Sequence, residues 1–267
     1  MTDYTKNLSK FDIINKEGQR IAFVLNDYQK LFLTAITNKD VILKSRQIGY
    51  SSLILGIFTI DFLLAENSRS VCISHDAPSA QKLFDRVKFF IKSAEEKGLA
   101  INLKYNSRNE MVNSDKNSSF YIGAAGSKAF GRGDTITNLH LSEFAYYPEP
   151  EAMLASVLQA VVPNGRCIIE STANGMNYFK TFWDKSKANE TGFKTHFFDN
   201  KFYSNEFLEV KKKELGDYLF KQEYPQTDLE AFLSSGSLFF DKEALAYYLL
   251  KVQTPIASYN TFYDIAL

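Results

Sequence analysis

A segment near residue 45 combines residue types and a spacing that suit the binding of phosphate groups. The apolar run 41–43 is followed by a polar loop that carries Lys44 and Arg46, and an apolar helical pattern begins after Gly49. In a strand–loop–helix unit, the loop amides and the positive end of the helix point at a bound anion. A hydroxyl at the second helical position, here Ser51, can ligate Mg2+. The segment therefore predicts phosphate binding together with a divalent cation.

The loop departs at two positions from the phosphate-binding pattern G-x-x-x-x-G-K-[ST]. Gly49 and Ser51 match the pattern, but Tyr50 stands in the place of the lysine and Lys44 stands in the place of the first glycine. A lysine at the start of the loop can still turn its ammonium to the phosphates, because the loop brings its two ends together. Arg46 adds a second cation. The alternative is an ordinary basic loop with Gly49 as a turn glycine, and this segment alone does not decide between them.

A carboxylate further along the chain favours the nucleotide interpretation. The apolar run 138–141 leads into Ser142 and Glu143. A carboxylate at the end of a neighbouring strand can polarise the water that attacks a phosphate, and Glu143 is also a candidate metal ligand. The aspartate that usually helps to hold the metal at this position is replaced by Ser142, so this strand is expected to bind a metal ion more weakly. The alternative role of Glu143 is to cap a helix near Tyr146 and Pro148.

Taken in order, these residues resemble the large terminase subunit, the DNA-packaging ATPase of tailed bacteriophages. The similarity extends over roughly residues 20–245. Five stretches carry it. Tyr28-Gln29 resembles the adenine-reading glutamine motif, and residues 44–52 resemble an arginine-containing Walker A motif with its lysine at the loop start. Residues 139–148 resemble a Walker B motif with serine before glutamate, residues 171–175 resemble the coupling motif, and residues 222–225, 230–232 and 235–236 resemble the end of the ATPase region.

The resemblance implies a role for each matching residue. The residues expected to bind the nucleotide are Tyr28, Gln29, Lys44, Ser45, Arg46, Gln47, Ile48, Gly49, Tyr50, Ser51 and Ser52. Ser51 and Glu143 would hold Mg2+, and Glu143 would also activate water. Coupling of hydrolysis to movement falls to Ser171, Thr172 and Asn174. A glutamine amide has both a donor and an acceptor, so Gln29 can read an adenine edge. A core position for Tyr28 and an ordinary polar turn at 171–174 are the alternatives.

Two arginines are candidates for stabilising the transition state. Arg132 lies in a glycine-flanked loop over residues 129–134, and we expect it to reach the ATP of a neighbouring subunit as an arginine finger. Such a residue accelerates phosphoryl transfer by roughly 10³–10⁵-fold. Arg46 would act within its own subunit, as a switch or as a partner of the Walker B segment. A surface arginine in a turn is the alternative for Arg132.

The pattern of the chain predicts an α/β fold, a mainly parallel sheet flanked by helices. Strands are predicted at 41–43, 70–74, 138–141 and 166–169, a hairpin or meander at 101–123, and helices at 51–65 and 77–97. Short helices follow at 205–215, 217–223, 228–233 and 241–252. The resemblance implies a P-loop NTPase of the RecA/ASCE-like class. It divides the chain into an ATPase core with its adenine-recognition segment (1–200), a small C-terminal helical annex acting as lid or linker (201–258), and the start of a missing nuclease domain (259–267), so nuclease activity is not expected.

Composition limits the possible partners. The 267 residues carry 31 Lys and Arg against 31 Asp and Glu, so the whole protein has no basic field for nucleic acid. Cys72 and Cys167 lie in apolar runs and are expected to be reduced core thiols, and three histidines without a Cys/His cluster make a zinc site unexpected. Neither a secretory signal nor a membrane-spanning stretch is recognisable, so no membrane association is expected.

The function implied by the resemblance is that of a Mg2+-dependent ATP-hydrolysing motor that moves double-stranded DNA into a viral procapsid in the host cytoplasm. Expected cofactors are ATP and Mg2+. Expected partners are double-stranded DNA, the portal of the procapsid, the small terminase subunit and further copies of the chain in a ring. Two alternatives remain open: a nucleotide-binding docking module that hardly hydrolyses ATP, and a helicase-like ATPase. The second lacks a recognisable second RecA-like lobe.

Overall fold

A computed structural model describes residues 3–126, 135–233, 247–248 and 250–251. Its strands are β1 (Asp12–Ile14), β2 (Arg20–Ala22), β3 (Lys39–Lys44), β4 (Arg69–Ser74), β5 (Leu103–Asn106), β6 (Glu110–Asn113), β7 (Ser118–Ala124), β8 (Ile136–Ser142), β9 (Val161–Ser171) and β10 (Lys194–Phe198). Its helices are α1 (Tyr4–Leu8), α2 (Asp27–Ala35), α3 (Tyr50–Leu64), α4 (Ala77–Glu96), α5 (Pro150–Leu158), α6 (Tyr178–Lys187), α7 (Asn205–Glu223) and α8 (Asp228–Leu233), with short 3-10 turns at Phe144–Tyr146 and Asn200–Phe202.

Eight strands form one sheet in the order β10-β3-β9-β8-β4-β7-β6-β5. The first six strands in this order run parallel to one another, whereas β7–β6 and β6–β5 are antiparallel pairs, so β5, β6 and β7 form a meander. The predicted class, a mainly parallel sheet flanked by helices, is therefore confirmed. In this order β9 is inserted between β3 and β8, so the carboxyl ends of these three strands lie side by side at one edge of the sheet.

Two apolar cores lie on the two faces of this sheet. Because side chains alternate along a strand, Ile42, Cys72 and Ile168 face the core that contains α3 and α4. Their chain neighbours, such as Val41 and Cys167, belong to the second core, together with α6. Both cysteines are buried and free, as predicted.

The two helices next to the candidate site form for different reasons. Helix α3 is apolar on nearly all sides and is buried, as expected of a helix enclosed between a sheet and other elements. Helix α4 is amphipathic: Asp76 accepts a hydrogen bond from the amide of Ser79 as its N-cap, and Pro78 lies in its first turn, as the sequence predicts. None of the helices that the structure describes has the length and apolarity needed to cross a bilayer.

Several parts of the chain differ from the predicted secondary structure or extend it. Helices α1 and α2, the β1–β2 hairpin and strand β10 were not predicted, and the three-residue strands of the hairpin carry too little alternation to be recognised. Helix α7 joins the two predicted helices 205–215 and 217–223, and Gly216, with a φ of 71°, interrupts it at the predicted boundary. The predicted helix 241–252 falls mostly outside the described residues, and so does the whole of 259–267.

Candidate functional site

A cavity of about 1140 Å³ opens at the carboxyl edge of β3, β8 and β9. Its polar wall consists of the predicted phosphate loop and the side chains of Gln29, Lys44, Glu143 and Thr172. Ligand sites typically enclose roughly 300–1,000 Å³, so the cavity has room for a nucleotide. Arg132 lies outside the described residues, and nothing in the structure bears on its predicted role.

The loop between β3 and α3, residues 45–49, presents unpaired backbone amides to this cavity. Gln47 and Gly49 both have positive φ angles, 59° and 84°, and such a backbone curls its amides around a concave anion site. The amides of residues 47–52 donate to no acceptor within the described part of the chain. Helix α3 begins here without a side-chain cap, so its first turn adds free donors.

The first two amides of this loop are used by the protein itself. The Ser45 amide donates to the carbonyl of Phe198 (2.9 Å), and the Arg46 amide donates to the carbonyl of Glu223 (2.8 Å). The Ser45 side chain is buried and does not line the cavity. The structure therefore concentrates the donors available to a ligand in residues 47–52, a narrower set than the predicted loop.

Gln29 is packed directly against Gly49. Its Nε2 donates to the Gly49 carbonyl (2.9 Å), and its Oε1 accepts from the Asn26 amide (3.1 Å) in the capping box of α2. A Cβ on Gly49 would lie 2.7 Å from the Gln29 Nε2. Gly49 is thus more than a turn glycine, because its φ and its close contact both require glycine. Gln29 lines the cavity, but adenine reading stays a prediction, since the amide already holds the loop.

Two predicted nucleotide-binding tyrosines have their rings in the protein interior. Tyr50 is 1% exposed, stacks on Phe198 and donates its hydroxyl hydrogen to the Tyr28 carbonyl (2.9 Å). Burial raises the pKa of its phenol. Tyr28 contacts Phe198 and donates to Asp199, and it does not line the cavity. Tyr50 is among the residues that line the cavity, but its ring packs on Phe198, so its contact with a nucleotide stays a prediction. The core alternative for Tyr28 agrees with its position.

Lys44 lies between two carboxylates. Its Nζ is 3.1 Å from Oε2 of Glu170 and 3.3 Å from Oε1 of Glu143, and its side chain is only 5% exposed. Burial alone would lower the pKa of Lys44, but the charges of Glu143 and Glu170 outweigh it and raise that pKa above its ordinary value. Lys44 is therefore a buried, charged ammonium at the floor of the cavity, where a loop-start lysine was expected to act.

Glu170, at the carboxyl end of β9, was not predicted and is the centre of the polar network. Its Oε1 accepts hydrogen bonds from Ser51 (2.8 Å) and Ser142 (2.7 Å) and contacts the Nε2 of His140 (3.4 Å). Burial would raise its pKa, but the charge of Lys44, followed by His140 and the Ser142 hydrogen bond, lowers that pKa below its usual range. The signal in the sequence was an acidic residue ending the apolar run 166–169.

Glu143 begins a strained turn that the predicted coupling segment holds in place. Its backbone is left-handed, with a φ of 55°, and its side chain makes no capping hydrogen bond, so the helix-cap alternative is wrong. Ser171 Oγ accepts from the Ala145 amide (3.2 Å), and Asn174 donates to the Ala145 carbonyl (3.2 Å). The Thr172 hydroxyl lies 3.2 Å from that of Tyr146. Of the segment's three predicted residues only Thr172 lines the cavity, and the other two position the turn.

Two arginines also face the cavity. The guanidinium of Arg46 forms an ion pair with Glu223 at the end of α7 (3.0 Å), and this charge, in the first place, raises the pKa of Arg46. Arg86, on α4, is half-buried, and burial lowers its pKa. No described residue forms a hydrogen bond or ion pair with it. Arg86 lines the cavity and is thus a cation of the site that the sequence did not single out.

The oxygen-rich donor set of this site suits Mg2+ better than zinc. Within the described ranges, no group of three or more His, Cys, Asp and Glu side chains is placed to hold a metal ion. Mg2+ in nucleotide sites usually needs only one or two carboxylates, because phosphates and water fill its other positions. The hydroxyl of Ser51 and the carboxylate of Glu143 line the cavity and supply such ligands, and the carboxylate of Glu170, buried behind Ser51, accepts the hydrogen bond of that hydroxyl.

Comparison with known proteins follows this geometry. No protein-family model matches the sequence. Among solved structures, the chain is similar to the large terminase ATPase domain of Thermus phage P74-26, with 19% identity over 75% of this chain and 92% of that one and a TM-score of 0.61. The chain has the fold of a phage large terminase ATPase domain.

Two longer terminases show the same fold. The large terminase of bacteriophage HK97 has 17% identity over 88% of this chain and 51% of its own, with a TM-score of 0.60. The large terminase of a thermophilic bacteriophage, solved in complex with ADP, has 12% identity over 75% of this chain and 52% of its own, with a TM-score of 0.59. The chain thus spans about half the length of these two terminases.

Proposed function

We propose that this chain is a Mg2+-dependent ATPase and the motor domain of a phage large terminase, which moves double-stranded DNA into the procapsid. One observation carries the proposal: a buried lysine joins two carboxylates beneath six unpaired loop amides, in a cavity of nucleotide size. The terminase ATPase fold and the ADP complex of one structural neighbour support it.

The loop amides and Lys44 would bind the phosphates. Six amides and an ammonium, held by rigid elements, offer donors to the anionic oxygens without reorganisation. Bound Mg2+, held from the Ser51 side, would neutralise charge on the terminal phosphates. Gln29 fixes the loop through the Gly49 carbonyl, and the exposed apolar side chains of Ile14 and Val24 in the cavity wall offer contact area to a base.

Glu143 is the proposed general base. Its carboxylate is 30% exposed and borders the cavity, so a water molecule can reach it, whereas Glu170 is fully buried. Its partner Lys44 keeps the carboxylate oriented towards the site of the phosphates. General bases contribute typically 10²–10⁴-fold to a rate, so the Glu143 carboxylate is expected to affect turnover more than binding.

Ser171 and Asn174 would couple hydrolysis to movement through the turn at Ala145. Both bind the backbone that directly follows Glu143, and the carbonyl of Ala173 in the same segment accepts from Gln222 of α7 (3.0 Å). A displacement of the catalytic turn is therefore passed to α7 by direct hydrogen bonds. This chain of contacts supports the roles of 171–174 and of α7 in the lid or linker proposed for 201–258.

DNA, portal and small subunit are proposed as partners of an assembly in the host cytoplasm, in which several copies surround the DNA. With a formal net charge of zero, a single copy is expected to bind duplex DNA weakly, because phosphate binding depends on an excess of cations. Weak contacts from several copies would add up. In that ring Arg132 is the proposed finger in trans, with Arg46 acting in cis.

The proposal is tested by Mg2+-dependent phosphate release from ATP. Glu143→Gln is expected to lower turnover by about 10²-fold or more, with affinity for a non-hydrolysable ATP analogue changed less than threefold. Glu149→Gln is the matched control, because it makes the same change on an exposed residue that does not line the cavity. Unchanged turnover in Glu143→Gln would remove this residue from the mechanism.

The docking-module alternative is tested by the same assay against protein concentration. A motor whose site is completed in trans gives a rate per subunit that rises with concentration, and Arg132→Ala abolishes that rise. Nucleotide binding without turnover at any concentration, with or without DNA, would favour the docking module. Two features favour this alternative: Lys44 is already paired with two carboxylates, and position 142 has a serine in place of the usual aspartate.

A further inference from the structure

We propose that Glu170 is the carboxylate that holds Mg2+ at Ser51, in place of the aspartate that position 142 lacks. The inference rests on the nucleotide site proposed above and extends it, because it assigns the metal to β9 rather than to the strand that carries Glu143. In the motif that resembles the terminase Walker B, the position expected to carry the metal-supporting aspartate is occupied by Ser142.

The sheet order makes this substitution possible. Strand β9 lies between β3 and β8, and in the register Glu170 is directly beside Ile42 of β3 and Ser142 of β8. A glutamate at the end of this central strand reaches both the first turn of α3 and the end of β8. Ser142 is short, so it leaves the space free, and its hydroxyl donates to Oε1 of Glu170 (2.7 Å).

The hydrogen bonds of Glu170 point its charge at the metal position. Oε1 accepts from the hydroxyl of Ser51 (2.8 Å), the residue whose place in the loop is that of a Mg2+ ligand. Oε2 is buried, receives no hydrogen bond from the described residues, and lies 3.1 Å from Lys44 Nζ. An ion pair with Lys44 alone would need only this second oxygen. The clamp of Ser51 and Ser142 on the first oxygen is what a metal-supporting carboxylate requires.

Glu170 also has a cationic partner at the same place. Its Oε2 lies 3.1 Å from the ammonium of Lys44, and a buried carboxylate normally needs such a partner. The protein therefore keeps this carboxylate buried with the hydroxyl of Ser51 directly in front of it. Removing the carboxylate should lower the affinity for the metal more than the affinity for the nucleotide.

The experiment measures metal binding directly. A fluorescent, non-hydrolysable ATP analogue is titrated in EDTA and in Mg2+, and Mn2+ affinity at saturating analogue is measured by electron paramagnetic resonance. Glu170→Gln is expected to leave the affinity in EDTA within about threefold of the wild type and to weaken Mn2+ by roughly 10–100-fold. Adding Ser142→Asp to Glu170→Gln is expected to restore most of that loss, and Glu149→Gln is the control.

The outcomes separate the two proposals. Unchanged Mn2+ affinity in Glu170→Gln, with normal analogue binding, would overturn the metal assignment and leave the nucleotide site intact. No analogue binding by the wild-type chain in either buffer would overturn both. If Glu170→Gln does not fold, as judged by circular dichroism, the double variant Lys44→Met/Glu170→Gln is used with Lys44→Met as its reference, since the double variant leaves no unpaired buried charge. Equal Mn2+ affinity of these two variants at saturating analogue would equally overturn the assignment.

Discussion

Replacing Lys44 by methionine tests whether the buried ion cluster is as strongly coupled as its geometry implies. The change keeps the volume of the side chain but removes the cation 3.1 Å from Glu170, which is completely buried, and 3.3 Å from Glu143, which is 30% exposed. Breaking a buried pair by removing one partner costs about 3–5 kcal/mol. Glu143 can turn to solvent, so nearly all of this cost comes from Glu170.

The second substitution in the cycle is Glu170→Gln. In the double variant neither charge remains, and the glutamine oxygen still accepts hydrogen bonds from Ser51 and Ser142. Replacing both partners of a buried pair is often close to neutral, so the double variant should lie within about 2 kcal/mol of the wild type. The coupling energy is the sum of the two single losses minus the loss in the double variant, so it is at least about 1–3 kcal/mol even if Glu170→Gln alone costs nothing. That is a large part of the roughly 5–15 kcal/mol that stabilises a typical domain.

Urea unfolding in EDTA measures these values. Far-UV circular dichroism and the fluorescence of Trp183, the single tryptophan, report secondary and tertiary structure, and coincident transitions justify a two-state fit. Lys30→Met is the control, because Lys30 pairs with Asp27 on the exposed face of α2 and should change stability very little. The coupling would be refuted if Lys44→Met lowered the free energy of unfolding by less than about 1 kcal/mol. It would also be refuted if the effects of the two single substitutions added up to that of the double variant within about 0.5 kcal/mol.

Two further predictions concern the phosphate loop. Gly49→Ala is expected to lose more stability than Gly98→Ala and to weaken binding of the ATP analogue. Both glycines have positive φ (84° and 91°), so an alanine at either position costs about 1–2 kcal/mol of backbone strain. Only at Gly49 would the added Cβ also lie 2.7 Å from Gln29 Nε2. Equal losses of stability for the two variants in urea unfolding would contradict this prediction. Glu223→Gln frees Arg46 from an ion pair in which Arg46 is 57% exposed, so analogue affinity should rise by about two- to fivefold, and weaker binding would count against Arg46 as a phosphate ligand.

The sequence predicted most of the central sheet because its strands are apolar runs with clear ends. Strand β3 and helix α3 could be recognised from a buried run, a loop with Gly49 and a long apolar segment. The sequence could not predict the strand order, since which strand inserts between β3 and β8 depends on tertiary packing. That order decides which carboxyl ends meet, and so it decides which residues form the site.

Glu170 illustrates the limit of the sequence argument. The sequence predicted the strand that precedes it but did not single it out, because its role depends on contacts with Lys44 and Ser51, which lie far away in the chain. Arg86 is a similar case: it lies on a helix with several other cations, and only its position at the cavity distinguishes it from them. Tyr50 shows the reverse, since its place in the motif suggested a ligand contact, while packing on Phe198 takes its ring into the core.

Repulsion between like charges explains why an acid on β9 accompanies a serine on β8. The described lining of the cavity has five cations, Lys16, Lys44, Arg46, Arg86 and Lys211, and two carboxylates, Glu17 and Glu143. Glu170 and Glu223 lie behind this lining and pair with Lys44 and Arg46. Positions 142 and 170 are direct neighbours in the sheet, and two buried like charges at this distance would repel strongly. An acid at one position therefore makes an acid at the other costly. Ser142→Asp alone should destabilise the chain, while the same change with Glu170→Gln should be tolerated, because the site then again holds a single carboxylate in front of Ser51.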